Sequence, residues 1–179
     1  MPSGPWYHGP HLAGPESGLV AGYRGRGWAV VASTGTTVPS PDPELLAVSA
    51  DIAGPTAADR VVEAALERFG RLDTLVSTAG AAAAGPFTGY TAADYAAGAE
   101  AGLAGFFWLT QRAISEMAAR YGGHVVTVIA AAAGAAGAAD CGAAGVLAAL
   151  ATGALAAATR SLALEYAPAA SGSTPSARA

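Results

Sequence analysis

Histidine, cysteine and tyrosine are the residues here that could hold a metal, attack a carbonyl or move a proton. His8 and His11 stand in an H-x-x-H spacing, but among prolines and glycines and with no cysteine or paired carboxylate nearby. Zinc sites draw three or four ligands from defined spacings. The pair therefore reads as surface histidines, and no metal site is expected. His124 opens a β-branched apolar run, where local hydrogen bonding would satisfy it. Cys141 sits beside Asp140 without a base partner, which makes it a poor nucleophile. As the single cysteine it also excludes an intrachain disulfide. Tyr121 and Tyr166 are candidate acids, yet each falls at a helix end, where packing is the simpler role.

Two absences bear on the chemistry more directly. All nine basic residues are arginine, and neither lysine nor asparagine occurs. No Schiff-base lysine, P-loop lysine or lysine-lowered tyrosine is therefore available. A phenol with its ordinary pKa of about 10 is a poor proton shuttle at neutral pH. The 49 alanines and 24 glycines fill two fifths of the 179 residues. Alanine buries little apolar area, and burial stabilises by roughly 25 cal/mol per Å², so the core is thin for the chain's length.

Charge and targeting exclude further classes. A net charge of −4 with 12% charged residues argues against a nucleic-acid-binding face. No signal-peptide pattern opens the sequence, and with one cysteine this suggests a cytoplasmic protein. Residues 125–158 are nearly uncharged, but Asp140 and Gly134, Gly137, Gly142 and Gly145 interrupt the run. A span needs about 20 predominantly apolar residues, so no membrane segment is expected.

The elements that must position any site follow from periodicity. Residues 1–18 are rich in proline and glycine and show no hydrophobic period, which predicts an unstructured start. A short helix over 19–25 precedes a strand over 27–33. A second strand covers 45–51. Thr56, with Asp59 three residues on, predicts an N-cap, and Gly70 the end of that helix. A strand follows at 73–78. Thr91 and Asp94 repeat the capping pattern before a helical stretch over 92–120, weakened by Gly98, Gly102 and Gly105. An apolar strand covers 124–130 and a helix 146–166. The tail, 169–179, is Ser-, Pro- and Ala-rich and reads as disordered. Strands alternating with helices at this spacing imply one α/β domain, 19–168, with a parallel sheet.

Four blocks carry a resemblance. DIAGPTAADRVVEAALERFGRLDTLVSTAG (51–80), LAGFFWLTQRAISEM (103–117), GGHVVTVIA (122–130) and TRSLALEYAP (159–168) resemble the short-chain dehydrogenase/reductase family in order and spacing. The resemblance implies a Rossmann-like doubly wound parallel sheet that binds NAD(P). Here it is incomplete, with its first strand doubtful and its last strands missing.

It also implies where the chemistry would lie. The glycine turn T-G-x-x-x-G-x-G falls at 9–16, where only Gly14 matches and Glu16 takes a glycine position. Gly35 falls where relatives may carry the selector between the two cofactors. Asp51 and Ile52 match an adenine-binding pair. Ser77-Thr78-Ala79-Gly80 stand for N-N-A-G, of which Ala79 and Gly80 still permit close cofactor packing. The catalytic tyrosine maps to Ala148, the lysine to Thr152, the serine near Ala131 and the asparagine to Gly102.

The resemblance implies an NAD(P)-dependent oxidoreductase by ancestry, here a pseudoenzyme in which none of the family's four catalytic residues is in place. Cofactor contacts remain at Gly14, Asp51, Ile52, Ala79 and Gly80, with NAD(P) binding weakened or lost. The alternatives are a non-catalytic binding or dimer-partner protein and a decayed gene product. Helices 103–120 and 146–166 are the surfaces through which the family resemblance implies a homodimer or heterodimer. Without a sixth strand, 124–130 is expected to be an exposed apolar edge.

Overall fold

The computed structural model describes residues 5–8, 15–34, 40–50, 53–78, 86–120, 122–129 and 145–167. Five parallel strands form one sheet in the order β3-β2-β1-β4-β5. They are β1 (Pro5–His8), β2 (Val30–Thr34), β3 (Leu45–Ser49), β4 (Thr74–Thr78) and β5 (His124–Val128). The helices are α1 (Pro15–Arg24), α2 (Pro55–Phe69), α3 (Ala92–Ala99), α4 (Gly105–Ala119) and α5 (Val146–Glu165).

The first strand corrects the expectation of an unstructured start. Pro5–His8 pair with both β2 and β4, so β1 occupies the centre of the sheet and closes the gap between them. Proline is tolerated at the first residue of a strand because its missing N–H costs little there, and Trp6 and Tyr7 are strand formers. Four residues between prolines and glycines are too few to display a period. Helix α1 likewise begins at Pro15, within the stretch expected to be loop, and the turn after it ends at Gly27 with φ of +79°.

Alternate strand residues separate two apolar layers, as the two-residue strand period requires. Val31 and Leu75 face α2 and α4, where Val61, Val62 and Ala65 meet Leu109, Ala113 and Met117. Val30, Ala32 and Val76 face the opposite way and pack with Val20 of α1. Each buried valine or leucine stabilises by about 1.5–3 kcal/mol.

Two helix starts differ in how well the sequence marks them. The N-cap of α2 is Gly54, with Pro55 at the first helical position, and not Thr56. Proline's fixed φ suits that position and its absent N–H would be unpaired anyway. At α3 the expected cap holds: Asp94 N–H donates to Thr91 Oγ1 at 3.2 Å, and Thr91 N–H donates to Asp94 Oδ2 at 2.8 Å. The predicted stretch 92–120 is three segments, because a π-helical turn, Glu100–Ala104, joins α3 to α4.

Helix α5 is the one helix, among the described residues, long and apolar enough by length and composition to cross a membrane. Here it packs beside β5, α3 and the π-helical turn. Its tie to the sheet is a hydrogen bond of 3.0 Å between the hydroxyls of Thr159 and Thr127.

Candidate functional site

Open α/β sheets bind ligands at the carboxyl ends of their strands, where the strand order reverses. In this sheet the reversal lies about β1. The register aligns one row across that end: Val48, Ser33, His8, Ser77 and Thr127. Ser33 and Ser77 are buried, and the hydroxyl of Ser33 has no hydrogen-bond partner within the described protein. Thr110 of α4 is buried with an unpartnered hydroxyl as well. Such a group costs about 1–3 kcal/mol when left unpaired. The row was legible only as a repeated ending, Ser-Thr at the end of both β2 and β4, whose partnership needs the register.

The positions that the resemblance assigns to the family's reacting groups lie on two elements that pack together. Ala148 and Thr152 lie one turn apart on α5, which packs against the π-helical turn containing Gly102. Turns of this kind are frequent at functional sites. Ala148 carries a methyl group and the Thr152 hydroxyl is engaged. Thr152 Oγ1 donates to the carbonyl of Ala148 at 2.7 Å. Ser77 and Thr78 end β4.

The expected cofactor contacts Gly14, Asp51, Ile52, Ala79 and Gly80 lie outside the described residues, as do Gly35, Ala131, His11, Cys141 and Tyr121. His8 ends β1 and does not lie in a loop. His124 is exposed at the start of β5, and its backbone N–H donates to the carbonyl of Asp73 at 2.8 Å. Tyr166 follows the last residue of α5, eighteen positions from Ala148. At 1.5 Å per residue that is about 27 Å along the axis, too far to replace a group at Ala148. Among the described residues no cluster of three His, Cys, Asp or Glu could hold a metal.

Two grooves, each of about 550 Å³, lie elsewhere. One lies between the end of α4, the start of β5 and the end of α5, lined by Met117, His124 and Leu162 among others. The other lies between α4 and α5 beside Phe107 and Ser161. The first is at the amino end of β5 and so does not coincide with the row at the carboxyl end.

Charge is arranged around the α2–α4 contact. Arg112 of α4 bonds Glu116 at 2.5 Å and reaches Asp59 of α2 at 3.0 Å. The Arg112 hydrogen bond holds the Glu116 carboxyl below its ordinary value. On the other side Arg24 makes a two-pronged contact with Asp42, at 2.7 and 2.9 Å, which lowers that carboxyl in the same way.

Strand order, doubly wound layers and the site's place at the carboxyl ends define a Rossmann-like α/β protein. A family model described as "short chain dehydrogenase" matches residues 20–170, and the chain belongs to that family. Solved structures agree in fold. A 3-ketoacyl-(acyl-carrier-protein) reductase from Brucella melitensis, complexed with NADH, superposes with a TM-score of 0.81 at 22% identity. The match covers 93% of this chain and 71% of that one. A short chain dehydrogenase from Leptospira borgpetersenii with bound NAD+ gives 0.81 at 17% identity, over 94% and 67%. One from Bacillus anthracis gives 0.79 at 20% identity, over 91% and 68%. The search of curated proteins returned no match.

Proposed function

We propose that this chain is a short-chain dehydrogenase scaffold that no longer carries out the family's NAD(P)-dependent hydride transfer and acts through binding. The observation that carries the reading is the state of α5. The helix is formed and packed at the π-helical turn, which supports reading the places that the resemblance gives the tyrosine and lysine together with that of the asparagine. They hold Ala148 and Thr152, and the Thr152 hydroxyl is spent on its own helix. No lysine elsewhere in the sequence can substitute.

The cofactor fits poorly on the same reasoning. A diphosphate at a helix start is held by free N–H groups and the positive end of the helix dipole. Helix α1 opens with Pro15, which has no N–H, and its second residue is Glu16, an acid in the first turn. NAD(P) binding is accordingly weak or lost. Purified protein should show no NAD(P)H-dependent carbonyl reduction above background, measured by absorbance at the nicotinamide band. Turnover abolished by substituting a nearby tyrosine would refute the reading. An NADPH fluorescence titration giving micromolar affinity would refute the weak-binding part alone. A cooperative thermal transition is expected of a folded scaffold, and its absence would favour a decayed product.

A partner role has its own support. Phe107 of α4 and Leu150 and Leu164 of α5 are exposed, and the α4–α5 groove adjoins Phe107. A homodimer or heterodimer through these helices would cover them. The burial of Leu147, Ala151 and Leu155 and the Thr159–Thr127 bond favour a sheet-packed α5 over a membrane span.

A further inference from the structure

We draw no further inference here: the strongest candidate, the groove between α4 and α5 lined by the buried Phe106 and by Thr110, whose buried hydroxyl has no hydrogen-bond partner among the described residues, is an unpartnered helix face, and nothing in the structure shows what covers it.

Discussion

Helices α4 and α5 line one groove but differ in how they are held. Of the fifteen residues of α4, six are buried, and Arg112 adds an ionic tie to α2. Of the twenty in α5, three are buried, and besides packing at β5 it joins the sheet through the Thr159–Thr127 hydroxyl pair. The cause is composition. Alanines on α5 supply helix propensity but little area, whereas Phe106, Leu109 and Met117 on α4 supply both. A helix can thus keep its place in a fold while contributing little to its stability.

The largest test of that contrast is truncation of leucines. L109A should destabilise by about 2–5 kcal/mol, as fully buried leucines do, while L164A, at 81% exposure, should fall within about 0.5 kcal/mol. L155A, nearly fully buried on α5, sharpens the comparison in urea unfolding. A loss near that of L109A means α5 is docked as part of the core, and a loss near that of L164A means it is not.

Next is G123A at the mouth of the groove beside β5. A Cβ there would meet Met117 Sδ at 2.5 Å and the Asp73 carbonyl at 2.9 Å. Overpacking of this kind costs about 1–3 kcal/mol, read as a lowered thermal midpoint. T91A at the α3 cap should cost about 1 kcal/mol, seen in the same assay.

The smallest effect concerns pH. Glu116 titrates below its ordinary value because Arg112 binds its ionised form. Its stabilisation is therefore complete above the unfolded-state value and is lost as pH falls through the lowered one. E116Q should flatten the stability profile in that acid window and leave it unchanged in shape near neutrality.

Legibility in the sequence followed the density of physical signal. Strands β2 to β5 and helices α2 to α5 are visible because each repeats its period or carries a cap, such as Thr91 with Asp94 at α3. The misread places had little to repeat. Strand β1 is four residues, and its status rests on pairing with residues 31–33 and 74–77, which no local pattern encodes. The start of α2 moved to Gly54 because Pro55 fixes φ more firmly than Thr56 attracts a cap bond. The π-helical turn has no period of its own among Gly98, Gly102 and Gly105. At the candidate site, the places of Ala148 and Thr152 on one helix could be read by spacing, whereas the row through buried Ser33 and Ser77 exists only in the register.

The central position of Pro5–His8 sets an order of events on the ribosome. The middle of the sheet is made first, yet its second neighbour begins at Thr74. One side of this tetrapeptide can pair with β2 early, but its other side must wait for Thr74–Ser77, and contacts of such separation slow folding. An N-terminal fusion that restrained those few residues would leave β2 and β4 with no shared strand between them, whatever the quality of the core behind them.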